Sequence, residues 1–476
     1  MQLLTPLLSL ALFACSSAAT NFTGDVLNGV PVISYLDLAD VPSQSVSRYY
    51  LRVGELNGGL PLHIPVFVAR GTPESLESGK KLSLSAAIHG DELNGVRVVQ
   101  RIFAQLEGQV ATLNGTVIGI PTVNPMGIYL NQRNYFTSHN SGWLTNVNRV
   151  FPGVAASDGG GGPELLAYNI WNYVWGNKSQ VDVGLDLHTP SSGGETSLWC
   201  YADWRLPYVE RLSKLLQPDT LKIDPGEPGS IETTFVDNTI PSITVEMGLA
   251  KVWNASLIDR VYDFVNRVLD DLRIIPSNTT EAYTPDLSKT YIVTTFHDSV
   301  ATYGGFVEQL VSVDEPVTKG QPIANVRNVF GDILETLYSP ETGRMFQSPR
   351  DPSIEPGASV GQIAYNSTDP ECADGCPEGP PLHLRIINRE PRPWTCIALL
   401  PCLVHNLQHP GPALRPDYLV SNFFAEVLGE APVTRTWTLK RESILGLHRE
   451  AVWRWINEAI KRREVQAFFR SETREA

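Results

Sequence analysis

The sequence predicts an α/β protein: a mixed, largely parallel sheet flanked by helices, then a small β domain, then a C-terminal extension of unknown role. Three observations carry this. From Leu82 onward, short apolar runs that stop at polar loops alternate with segments of helical periodicity. Residues 290–366 lose that periodicity and read as short strands between turns. From Glu371 the texture changes again.

The elements follow in order. Residues 24–80 are strand-like and turn-rich, punctuated by Gly58-Gly59 and Gly71-Thr72-Pro73. LSLSAAI is an apolar run that stops at HGDELNG. VRVVQRIFAQL then sets Val96, Val99, Ile102, Phe103 and Leu106 on one helical face. TVIGIPTVN is a second strand, followed by a long polar loop and a helix from Pro163-Glu164. VDVGLDLH and SITVEMG are further strands, and SLIDRVYDFVNRVLDDL is helical. Residues 276–289 read as a linker. The expected domains are a leader over 1–19, a catalytic domain over 20–280, the β domain over 290–366 and the extension over 371–476.

At roughly 100–200 residues per domain, 476 residues suit this division. The net charge of -14 repels phosphate backbones and anionic lipid, so neither nucleic acid nor a membrane surface is an expected partner. Residues 372–476 carry 14 Lys+Arg and 12 Asp+Glu, a net of +2, which leaves -16 on the body. No stretch after the N-terminus reaches the ~18 apolar residues that span a bilayer.

MQLLTPLLSLALFACSSAAT reads as an export signal cut after Ala18 or Ala19, although no basic residue precedes its apolar run. Six N-x-S/T triplets, at Asn21, Asn114, Asn177, Asn254, Asn278 and Asn366, agree with a secreted, extracellular glycoprotein. Once Cys15 leaves with the signal, Cys200 is the body's single thiol; Cys372, Cys376, Cys396 and Cys402 sit in the extension.

The reactive residue types fall just past the strand ends, where open α/β sheets bind ligands. His89 and Glu92, three apart in HGDE, can point at one metal ion, and His188 at the end of VGLDLH is the natural third ligand. Such a set leaves a fourth position for water and favours Zn²⁺, one per chain. Asp186 can orient a ligand by a hydrogen bond. Glu246, ending an apolar strand, suits a general base. Arg133 and Arg149 lie in the long polar loop. One guanidinium can stabilise charge on a carbonyl oxygen; the other, with Asn148, can hold a substrate carboxylate.

The ordered set HGDE, NPMGIYLNQRNYF, NVNRVFPG, DLH and TVEMG resembles the succinylglutamate desuccinylase/aspartoacylase family, a branch of the zinc carboxypeptidase-like hydrolases. The resemblance covers about residues 80–250 and extends into the β segment from Tyr303 to Gly343. It implies a zinc-carboxypeptidase-like fold with His89, Glu92 and His188 as zinc ligands and Glu246 as catalytic base. It implies that Arg133 polarises the scissile carbonyl and that Asn148 and Arg149 grip a substrate carboxylate. Asn146 stands where the family usually has Asp, a change expected to weaken the positioning of Arg149 or to alter substrate preference. The extension matches nothing in the family.

The expected activity is hydrolysis of the amide bond in a small N-acyl amino acid-like carboxylate by metal-activated water. A metallocarboxypeptidase acting on peptide C-termini is the nearest alternative. An inactive zinc-hydrolase scaffold acting as a secreted binding protein is the alternative of another class. The sequence leaves the acyl group and the oligomeric state open.

Overall fold

Four runs of the chain are apolar enough to be buried on both faces, and they form the centre of one large sheet. The computed structural model describes residues 19–137, 143–277 and 281–369. Residues 1–18, Asn278 and the whole extension, with its four cysteines, lie outside the described residues.

The strands are β1 (Asn21–Leu27), β2 (Val30–Tyr35), β3 (Ser45–Leu56), β4 (Leu60–Arg70), β5 (Lys80–Ala86), β6 (Gly115–Ile120), β7 (Tyr135–Thr137), β8 (Trp143–Thr145), β9 (Val183–His188), β10 (Gly194–Glu195), β11 (Leu198–Ala202), β12 (Thr220–Ile223), β13 (Ser242–Met247) and β14 (Tyr291–Val293). Eleven of them form one sheet in the order β1-β2-β3-β4-β6-β5-β9-β13-β11-β12-β14. The central strands β6, β5, β9 and β13 run parallel to their neighbours in that group. β6, β9 and β13 are buried along their whole length. Parallel strands covered on both faces carry continuous apolar runs for this reason.

Helices cover both faces. Asn94–Glu107, Pro207–Leu216 and Ala255–Asp271 pack on one side. Gly162–Tyr173 and Ile231–Asp237 pack on the other. Ala255–Asp271 starts at Asn254, whose side chain accepts from Leu257 N. It buries Val261, Phe264, Val265 and Val268 completely. Each such side chain contributes about 1.5–3 kcal/mol by leaving water.

The β region is two smaller sheets. One includes Thr295–Val300, Gly343–Pro349 and Ser359–Tyr365; the other includes Gly305–Gln309, Pro322–Arg327 and Ile333–Tyr338. Two strands cross between regions. β14 pairs in parallel with β12 and so closes the large sheet. β10, from the loop after His188, pairs with Gly343–Pro349. That pairing ties the β region to the strand ends of the large sheet. No described helix is long and apolar enough to cross a membrane.

Candidate functional site

The site begins where β5, β9 and β13 end side by side. β5 delivers Ile88 and His89 through a turn at Ala87, whose φ is +49°. Glu92 N donates to His89 O, which folds HGDE into one turn ahead of the helix Asn94–Glu107. Gly90 is required there. A Cβ at that position would lie 1.9 Å from the carbonyl carbon of Gly127.

β9 and β13 are in parallel register with His188 opposite Glu246. Both side chains therefore emerge at the same level of the sheet. His188 and Glu92 are buried, as is His89. Their ligand-type atoms lie within 4.8 Å of one another. His89 Nδ1 and His188 Nδ1 each sit 2.8 Å from a Glu92 oxygen. The opposite ring nitrogens face acceptors: His188 Nε2 is 2.8 Å from Asp186 Oδ2, and His89 Nε2 is 3.0 Å from Asn146 Oδ1. Ser85 Oγ donates to the other Asp186 oxygen and holds it in place.

The charges shape each group. Burial opposes a charged His188, but the Asp186 and Glu92 carboxylates hold it well above the usual imidazole value. Burial pulls His89 below that value, against the pull of Glu92. Burial works to raise Glu92, yet the two imidazoles bring it well below the usual carboxylate range. Burial pushes Glu246 up to about 8. Two imidazole nitrogens and a carboxylate that converge in a buried cluster, with the far nitrogens tied to oxygen acceptors, fit a zinc ion. Metal binding would displace a proton from an imidazole that these neighbours make basic.

Arg133 reaches the same cluster. Its Nη1 is 3.1 Å from Glu92 Oε1 and 3.2 Å from His89 Nδ1, and it also bonds Ser191 Oγ. Asn148 is buried, and its Oδ1 accepts from Ile231 N at 2.9 Å. That leaves its amide nitrogen as the donor group. Arg149 Nη1 donates to Asn148 O, and Arg149 Nε lies 3.2 Å from Glu227 Oε1.

His89, Arg133, Asn148, Arg149, His188 and Glu246 all line one pocket of about 610 Å³. Glu92 sits beneath them. The structure thus brings together every site residue expected from sequence. Residues not foreseen also line it: Tyr201, Trp199, Ser191 and Glu227 from the catalytic region, and Gln347, Ser348 and Asp351 from the β region. Only the turn-rich texture around Glu227 (PGEPGS) marks a loop there; nothing in it marks a partner for Arg149.

Asn146 caps the short turn Val147–Arg149, and its carbonyl accepts from Arg149 N, so it bears on Arg149 through the backbone. Its side chain touches His89 and accepts from Asn148 N. The Arg149 guanidinium itself meets the Asn148 carbonyl and Glu227.

The buried His-Glu-His cluster, with a carboxylate and two guanidinium groups in one pocket, is a candidate hydrolytic centre. Residues 78–272 match the model of the Succinylglutamate desuccinylase/Aspartoacylase catalytic domain. No curated protein matches the chain. Among solved structures, the chain is similar to the product-bound ectoine utilization protein EutE (DoeB) from Ruegeria pomeroyi, with 17% identity, a TM-score of 0.58, and coverage of 70% of this chain and 99% of that one. An aspartoacylase family protein from Mesorhizobium loti shares 20% identity at a TM-score of 0.55, covering 74% and 100%. A succinylglutamate desuccinylase/aspartoacylase from Rhodobacter sphaeroides shares 18% at 0.57, covering 71% and 100%. Likeness at these identities establishes the fold.

Proposed function

We propose that the protein is a zinc-dependent amidohydrolase that removes the acyl group from small N-acyl amino acid-like carboxylates, and that it acts outside the cell as a secreted glycoprotein. The observation that carries the activity is the convergence of His89, Glu92 and His188 beside Glu246, Arg133 and Arg149 in one pocket.

His89, Glu92 and His188 would hold one zinc ion, which supplies Lewis acidity and lowers the pKa of water from 15.7 toward about 7. Glu246 takes a proton from the attacking water. The water oxygen bonds to the amide carbon, and Arg133 faces the oxygen on which charge develops. The C–N bond then breaks, and Glu246 returns its proton to the leaving nitrogen. A carboxyl raised by burial suits both halves of this transfer. Arg149 and the Asn148 amide hold the substrate's carboxylate and fix the distance to the reacting carbon.

Small substrates are favoured over peptides because β-region residues Gln347, Ser348 and Asp351 wall the pocket. Export is supported by the signal-like N-terminus and the sequons. Of these, Asn21, Asn114, Asn177 and Asn366 are exposed.

The test is metal content of the full chain together with hydrolysis of N-acetyl, N-succinyl and other N-acyl amino acids beside C-terminal dipeptides. About one zinc per chain with release of free amino acids supports the proposal. Cleavage of dipeptides alone moves the protein to the carboxypeptidases. A chain without metal or turnover sinks the reading.

A further inference from the structure

Arg149 does not meet a substrate as a bare cation. Glu227 Oε1 stands 3.2 Å from its Nε, and both residues line the pocket. The pairing is built into the backbone. Phe151 N donates to Gly229 O, and Ile231 N donates to Asn148 Oδ1. Glu227 N donates to Thr233 Oγ1. Gly229, at φ +80°, lies so close to Arg149 that a Cβ there would sit 2.3 Å from the Arg149 carbonyl oxygen. The loop bearing Glu227 is therefore clasped against the turn bearing Asn148 and Arg149.

The surrounding charge has the same sign as Glu227. Asp224 and Asp351 also line this pocket. Lys222 neutralises Asp224 through a 2.5 Å ion pair. Asp351 uses one oxygen to accept from Ser353 N. Apart from Arg149, Arg133 and the two histidines, the ionisable groups facing a ligand here are the carboxyls of Asp224, Glu227, Glu246 and Asp351.

We infer that Glu227 sets specificity for the amino-acid half of the substrate. It admits a single carboxylate with a neutral or cationic side chain and discriminates against aspartate- and glutamate-type dicarboxylates. One carboxylate can share Arg149 with Glu227, because the guanidinium has five N–H donors. A second carboxylate on the same small ligand finds Arg133 engaged with Glu92 and Ser191, meets no further Lys or Arg among the described residues lining the pocket, and is repelled by Glu227. The inference rests on the deacylase reading for its substrates but not for its binding test.

The experiment compares the full-length protein with its Glu227→Gln and Glu227→Asp variants. The first readout is kcat/KM on N-acetyl-alanine and N-acetyl-lysine against N-acetyl-aspartate and N-acetyl-glutamate. The native chain is expected to favour the first pair at least ~10-fold, the scale of one repulsive contact. Glu227→Gln should reduce that ratio by about 10-fold, mainly through KM on the dicarboxylates, and Glu227→Asp should retain it. The second readout is calorimetric binding of free alanine, lysine, aspartate and glutamate, which needs no turnover. A native preference for the dicarboxylates, an unchanged ratio in Glu227→Gln, or no binding of any amino acid overturns the inference. Failure to hydrolyse any N-acyl amino acid, with the binding preference present, overturns the deacylase reading alone.

Discussion

Asn146 Oδ1 lies 3.0 Å from His89 Nε2 and also accepts the backbone N–H of Asn148 at 2.9 Å. One side-chain oxygen thus joins a candidate metal ligand to the turn that carries the candidate carboxylate grip. It orients the imidazole so that Nδ1 faces Glu92, and it does so as a neutral acceptor. Its counterpart at His188, Asp186, is a carboxylate.

Removal of that acceptor should loosen both functions. Asn146→Ala is expected to weaken zinc affinity by about 10–100-fold, the range for lost partners of ligating histidines. KM should rise with it, since the Asn148 turn loses its cap. Asn146→Asp should tighten zinc, because a carboxylate makes the imidazole a stronger ligand. Competition with a chelating dye reads both variants. Equal affinity in all three proteins would mean that Asn146 only shapes the loop.

Much of the site is legible in the sequence because its residues end apolar runs. VGLDLH and SITVEMG are buried strands, and their last polar side chains must leave the sheet at its edge. HGDE follows the same rule after β5. The helix after it was legible in kind, although its buried face includes Val98 while Val96 is only partly covered. Glu227 was not legible, because its partner lies 78 residues away in another loop and neither segment has a periodic pattern. The same holds for β10 and β14. Strands of two and three residues carry no alternation, and only the tertiary structure decides which sheet they join.

Gly90 makes a second prediction. A methyl group there would strike the Gly127 backbone, which cannot rotate away as a side chain could. Gly90→Ala must shift the HGDE turn, and His89 and Glu92 with it. The expected cost is about 1–3 kcal/mol in stability, and zinc content should fall below one ion per chain. Thermal melting and metal analysis check this. A variant with native melting and full metal would show that the turn relaxes freely.

Glu232 does not line the pocket and governs pH dependence of a different kind. It is fully buried; its Oε2 accepts from Thr233 Oγ1, and its Oε1 has no hydrogen-bond partner among the described residues. Burial raises its carboxyl well above the ordinary value, and Asp224, Asp203 and Asp186 add to this against the Thr233 bond. The folded chain therefore keeps a proton that the unfolded chain loses near pH 4.3. Between the ordinary value and the raised one, the folded state binds more protons, so stability falls as pH rises. Glu232→Gln carries the neutral form at every pH. Its melting temperature should gain on the native protein as pH is raised from about 5 to about 8. Parallel melting curves over that range would remove Glu232 as the source.

Glu246 carries the last prediction, which separates chemistry from metal binding. It stands opposite His188 in the β9–β13 register, is nearly buried, and keeps one oxygen without a hydrogen-bond partner among the described residues. An unpaired buried acceptor is costly, and Glu246 differs from Glu232, which also has one, in lining the pocket with His89 and His188. An oxygen left bare beside the metal-ligand group is in place to take a proton. Glu246→Gln preserves shape and should leave zinc content and melting temperature near native values, while kcat falls by about 10²–10⁴-fold. Because burial lifts the native carboxyl, the acid limb of the native kcat/KM profile should lie above the ordinary carboxylate value near 4.3, with activity lost as pH falls through it. Near-native turnover in Glu246→Gln would remove Glu246 as the base. Loss of zinc in that variant would instead make it part of the metal site.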